Sequence, residues 1–154
     1  MAARRALRYT ALAAAAAGAF FLLAAADLGL RGRGAYERAR LHAGWRDNPA
    51  AKAEHYARLY EERAAAVKAQ AEGGELTAEQ ADRALTLAAA ERDFSVSESS
   101  AKQAVIWYRS AANDFNSPFN RWAPRARREL PAALAAWRAE LEARGVKAEE
   151  WMLQ

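Results

Sequence analysis

SSAKQAVIWYRSAANDFNSPFNRWAPRARRELPAAL, residues 99–134, carries both the periodicity and the punctuation from which the fold can be read. Its first half repeats apolar residues at intervals of three and four: Ala101, Ala104, Val105, Tyr108, Ala111 and Phe115. That spacing lays all six along one stripe of an α-helix. Its second half gathers Pro118, Pro124 and Pro131, three of the four prolines in the chain. A proline inside a helix removes a hydrogen bond and clashes with the preceding turn, at a cost of about 3 kcal/mol, whereas at a first helical position it is tolerated. Each proline is therefore expected to open a short helix. The last is predicted from Pro131 to Arg144, with Leu130, Leu134, Trp137 and Leu141 on one face and Gly145 as its stop.

Upstream, the same reasoning sets out three more helices. Ser95 with Glu98 makes a capping-box pattern for the helix above, and Thr77 with Gln80 makes another for a helix through Leu85 and Ala88 to about Asp93. The few residues between these two predict an antiparallel hairpin. Asn48 as cap and Pro49 as first residue open a helix that carries Tyr56, Leu59, Tyr60, Ala64 and Val67 and ends at Glu72 before Gly73-Gly74. Before that, "RGRG" (31–34) reads as a hinge and Ala35 to Trp45 as a short helix with Tyr36, Ala39 and Ala43 on its apolar side. No window alternates apolar and polar residues as a strand would. The expected class is all-α.

The chain has 154 residues and a net charge of +4. Its 44 alanines favour helix while burying little area each, and only 17 of the 121 residues from Gly34 onward are Leu, Ile, Val or Phe. The expected body is thus one of thin helices packed closely through alanine and pinned by a few of the five tryptophans. The charge is uneven. Arg4, Arg5, Arg8, Arg31 and Arg33 flank the N-terminal apolar run against a single acid, Asp27, which leaves 18 basic and 18 acidic residues in 34–154. A balanced body offers no global field for a polyanion, so nucleic acid is not an expected partner. The absence of cysteine excludes disulfides and thiolate metal sites.

Residues Tyr9 to Ala26 are uncharged, close to the lower limit for a bilayer-spanning helix, and extending the run to Leu30 requires Asp27 to sit at the interface. The predicted organisation is a membrane anchor in 1–33 that crosses within 9–30, a helical body in 34–145 and a tail in 146–154. The same N-terminus also fits an export signal cleaved after Ala26, because Ala24-Ala25-Ala26 is a small-x-small site. Arginines on both sides of the run nearly balance the positive-inside count, and the short, signal-like leader points to an exported body.

Residues 99–134 resemble the tetratricopeptide repeat in the version common among bacterial envelope proteins. Ala104, Tyr108 and Ala111 reproduce the spacing of the second helix of a repeat, and "FNSP" followed by "WAPRAR" looks like its turn and next helix, with Phe119, Asn120 and Arg121 as extra residues. The likeness covers about a quarter of the chain, and the helix before it lacks the Trp-x-x-Leu-Gly-x-x-Tyr pattern of a first helix. What the resemblance implies is a small TPR-like body of helical hairpins that binds protein rather than catalysing a reaction; the N-terminal residues lead to the expectation that this body faces the periplasm from a single-pass anchor in the inner membrane. Stacked repeats need about three units to close a core. So small a body is expected to be completed by a larger membrane complex.

No constellation for catalysis emerges. His42 and His55 lie thirteen residues apart on separate predicted helices and read as surface histidines, and no His-x-x-x-His or Glu-x-x-His spacing exists. Adjacent acids such as Glu61-Glu62 diverge by about 100° on a helix. Ser95, Ser97, Ser99 and Ser100 lack a nearby histidine and read as caps. No catalytic residue, cofactor or metal is expected. The interaction candidates are Trp107, Phe119, Trp122 and Trp151, because tryptophan is enriched at interfaces, together with Arg121, Arg125 and Arg128, which recur at intervals of four and three on a helix from Pro124. Arg127 stands beside them. Such a surface suits an acidic protein partner or anionic lipid headgroups.

Overall fold

The first helix is far longer than the sequence suggests. In the computed structural model, which describes residues 2–115 and 120–149, α1 runs unbroken over Ala2–Asp47, 46 residues or about 69 Å. The expected hinge at "RGRG" is helical. Each glycine in a helix interior costs about 1 kcal/mol, and two sources of stability offset it here. Ion pairs one turn apart bracket the segment, Arg31 to Asp27 at 2.8 Å and Arg33 to Glu37 at 2.7 Å. Gly32 also meets the carboxamide of Asn120, which a Cβ at that position would overlap. Close approach, not flexibility, is the use of that glycine.

The remaining helices are α2 (Pro49–Glu72), α3 (Ala78–Ser97), α4 (Ser100–Asn113) and α5 (Trp122–Ala143). Among the described residues there is no strand, and the all-α class is shown. Local chemistry sets most of the ends. Asn48 Oδ1 accepts from the Ala51 N–H with Pro49 at the first position, and Thr77 and Gln80 close a reciprocal capping box. Gly73 ends α2, and Gly74 takes a φ of +77° that other residues rarely adopt.

Three expectations give way. Ser95 and Glu98 form no capping box, because α3 continues through Ser95 to Ser97 and Glu98 is the residue that ends it. Ser99 caps α4 instead, its Oγ accepting from the Lys102 N–H at 3.0 Å. Pro131 lies inside α5 rather than opening a helix. The packing of Ala126, Leu130, Ala133, Leu134 and Trp137 on the core carries the helix across the missing hydrogen bond. Finally, α3 and α4 do not form the expected hairpin. α3 packs on α2, while α4 packs on α1 and α5. The link between α3 and α4 is short, but α4 carries the strongest apolar stripe and follows the aromatic residues of α1 instead of the thinner face of α3.

The core is therefore a three-helix bundle of α4, α5 and the second half of α1. Ala39, Ala104, Val105, Ala111, Ala112 and Ala126 are sealed completely, and Val105 is the largest side chain so enclosed. Alanine allows the backbones to approach, and Tyr36, Tyr108, Trp107, Trp122 and Trp137 fill the remaining space. The helical stripe read in α4 is the buried face: Ala101, Ala104, Val105, Tyr108 and Ala111 are all buried. α4 runs antiparallel to α1, since Phe115 lies beside Leu30 and Arg31 while Ser99 and Ala101 lie beside Trp45 and Arg46. α5 runs parallel to α1, from Asn120 at Gly32 to Glu140 and Arg144 at the cleft that Trp45 and Arg46 line.

The front of α1 takes no part in this core. Tyr9, Leu12, Phe20, Phe21, Leu22, Leu23 and Leu30 are all about 70% exposed, and the first buried residue described is Gly32. The helix is long and apolar enough to cross a membrane, with a mean hydropathy of 1.9 over its most apolar window and none of that window covered by protein.

Candidate functional site

The end of the bundle next to the apolar half of α1 assembles most of the residues expected to make contacts. Trp122 opens α5, and its indole tilts against the Tyr36 ring at 5.3 Å. Three guanidinium groups surround that indole: Arg125 at 4.9 Å, Arg121 at 5.0 Å and Arg33 at 6.0 Å from its centroid. Across α1, Trp107 carries Arg38 over its ring at 4.7 Å. It also lines a cleft of about 440 Å³ with Leu30, Arg31, Gly34 and Phe115. Cation–π geometry of this kind holds an arginine against an apolar plate while its N–H groups stay available to an anion.

Arg128 extends the same side, its Nε donating to the Pro124 carbonyl at 3.3 Å. Arg121, Arg125 and Arg128 are exposed and make no ion pair with any described carboxylate; Arg125 shares the Trp122 ring with Arg121 and lines a cleft with Arg128, Tyr36 and Glu129. Arg127 does something different. Although also exposed, it reaches across to α4, where its Nη2 donates to the Ala112 carbonyl at 3.0 Å, satisfying a group at the end of that helix. Phe119 and Trp151, the other two candidates, lie outside the described residues.

Beneath this surface sits a network that no sequence signal announced. Glu129 accepts from two tyrosines at once, Tyr36 through Oε1 and Tyr108 through Oε2, each at 2.5 Å. The tyrosines meet edge to face at 5.9 Å and are buried. Burial, followed by the bond to Glu129 and its charge, pushes both phenols above their ordinary range, so they remain neutral donors. α1, α4 and α5 are thereby joined through one carboxylate. Asn120 adds a second tie, donating to the Phe115 carbonyl at 2.6 Å and accepting from the Trp122 N–H at 2.9 Å. Glu129 stands among arginines in the sequence with nothing local to mark it, because its partners are 21 and 93 residues away.

At the far end of the bundle the chain turns from α1 into α2. Here the two histidines depart from the expected exposed positions. His42 and His55 each lie 5.1 Å from the Trp45 ring, with Tyr56 at 5.6 Å. Burial first, then the charge of Lys52, lowers the pKa of His42, and its Nδ1 is buried without a partner. Lys52 is itself buried and donates to the Glu98 carbonyl at 2.5 Å, while Ser99 donates to Glu140 at 2.8 Å. These bonds tie α2, the α3–α4 link and α5 together. Among the described residues, no three His, Cys, Asp or Glu gather as metal ligands.

Comparison of the chain with family models, with curated proteins and with solved structures returns no match in any of the three. The reading of function rests on this chain alone.

Proposed function

We propose that the protein is a non-catalytic accessory or scaffold subunit, held in the bacterial inner membrane by the front of α1, with its body on the periplasmic side, mediating protein–protein contact within a larger membrane complex. One observation carries the reading. The apolar run 9–30 is uncovered, yet it belongs to the same unbroken helix whose second half forms the bundle core. A span joined in this way to the body sets the body's height and tilt at the bilayer, which a flexible tether would not. Asp27 sits at the end of the span with its charge matched by Arg31 at 2.8 Å, which supports extending the apolar length to Leu30.

The surface for a protein partner is supported by the α2–α3 hairpin. It leaves Leu59, Leu87 and Phe94 exposed, Phe94 to 65%, and fully encloses little beyond Val67 and Ala88. A TPR-like body remains part of the proposal, supported by the packing of Ala104, Tyr108 and Ala111. The test is purification of the full chain from native membranes in mild detergent. Co-purification with defined subunits, lost when Leu87→Asp and Phe94→Asp are combined, is the expected result; a lone monomer with an unchanged profile in both forms would sink it.

A second reading has its own support. No described residue before Gly32 is buried, so cleavage after Ala26 would leave the bundle whole and release a periplasmic binding protein. Mass spectrometry of the mature N-terminus separates the two: Met1 or Ala2 for the anchor, Asp27 for the released form.

A further inference from the structure

We infer that Arg121 and Arg125, set around the Trp122 plate, and Arg128 form a collar that binds the anionic lipid headgroups around the protein's own anchor. The inference rests on the anchored reading above and adds what the bundle does at the membrane surface. It starts from position along α1. If Leu30 marks the edge of the hydrocarbon, Arg33 lies about 4.5 Å and Tyr36 about 9 Å beyond it, at 1.5 Å per residue. The headgroup layer on each side of a bilayer is about 5–8 Å thick. Asn120 packs at Gly32, and Trp122 packs on Tyr36 beside Arg33. The start of α5 is therefore held within or just above that layer by its contacts with α1.

The chemistry there suits phosphate. Asp27 and Glu37 already match Arg31 and Arg33, and Glu129 is taken by two tyrosines. Arg121, Arg125 and Arg128 keep exposed guanidinium groups with no ion pair of their own among the described residues. The indole presents an apolar body with a polar edge, the type of side chain enriched at this depth. An acidic protein could match the charge, but the position favours lipid: a partner would have to enter the narrow gap between bundle and bilayer, whereas headgroups already fill it.

The experiment uses the full chain in nanodiscs of phosphatidylcholine alone and of phosphatidylcholine with phosphatidylglycerol, read by amide hydrogen exchange. Each arginine near an anionic surface strengthens association about fivefold, so three of them predict exchange at 120–128 slowed at least tenfold by phosphatidylglycerol, with the α2–α3 hairpin unchanged. High salt should remove the effect. A chain carrying Arg121→Gln, Arg125→Gln and Arg128→Gln together should insert equally but show no lipid dependence. Because these side chains are exposed, an unaltered thermal transition is expected and serves as the check that the variant folds.

Equal exchange in the two discs, or protection that survives the three substitutions, overturns the collar. So does protection that appears only when an acidic polypeptide such as polyglutamate is added, which would assign the arginines to a protein. Failure to insert into phosphatidylcholine discs at all overturns the anchor, and the collar with it.

Discussion

The bundle of α1, α4 and α5 and the hairpin of α2 and α3 are built from the same alanine-rich composition, yet they are held together differently. In the bundle, alanines at 39, 104, 111, 112 and 126 are sealed and aromatics fill the space around them. A carboxylate then links all three helices from inside. In the hairpin, Val67 and Ala88 are the enclosed apolar residues, and the links across it are on the surface: an ion pair between Arg63 and Glu91, and Arg92 over the Tyr60 ring at 4.7 Å. Alanine builds a core only where large aromatics complement it; without them, backbones approach and little apolar area leaves water. The bundle encloses its own apolar residues, whereas the hairpin leaves Leu59, Leu87 and Phe94 exposed.

That contrast can be broken at several points. The largest effect is expected from Glu129→Leu, which leaves two buried hydroxyls without an acceptor at about 1–3 kcal/mol each. Thermal unfolding of the full chain in detergent should show it, and Tyr36→Phe combined with Tyr108→Phe should recover much of the loss on the Glu129→Leu background. Ala104→Leu should cost about 1–3 kcal/mol through overpacking between α1, α4 and α5. A milder result would mean the helices are less closely apposed than the sealed alanines indicate.

Gly32→Ala should cost about 1–2 kcal/mol, because Asn120 must give up hydrogen bonds to make room. A hinge at "RGRG" predicts the reverse, since alanine stiffens and stabilises a helix. In the hairpin, Arg63→Ala should cost less than about 1 kcal/mol, as exposed ion pairs do. A loss there as large as that of Glu129→Leu would erase the distinction between the two regions.

The corner between the regions responds to pH. His42 has a folded-state pKa below its ordinary 6.5, so the unfolded chain binds the proton more readily. Stability contributed by neutral His42 is present above about 6.5 and falls as pH drops below it. Chemical denaturation at descending pH should show this decline, and His42→Phe, which also removes the unpartnered Nδ1, should flatten it. An identical slope in both proteins would place the acid sensitivity elsewhere.

Much of this architecture could be read from local chemistry. Asn48 with Pro49, Thr77 with Gln80, and Gly73-Gly74 act within one turn of themselves, and each appears where the residues put it. The stripe Ala101, Ala104, Val105, Tyr108 and Ala111 is buried because helical periodicity alone fixes which residues share a face. The apolar front of α1 was equally legible from composition. The sequence spaces Arg121, Arg125 and Arg128 at four and three residues, but nothing local showed that Arg121 and Arg125 would flank the Trp122 ring together with Arg33.

What the sequence determined by itself, then, is the all-helical class, α2 and α3 with their caps Asn48 and Thr77, the buried face of α4 and the apolar run at the front, since each depends on residues a few positions apart. The tertiary structure decided the rest: that "RGRG" stays helical against Asn120, that α5 continues through Pro131, that α4 leaves α3 for α1, and that Glu129 is an internal link rather than a surface charge. Glycine and proline set only a local penalty of a few kcal/mol, and contacts made across tens of residues supply enough free energy to override it. Those contacts depend on which faces meet in space, and spacing along the chain does not specify that.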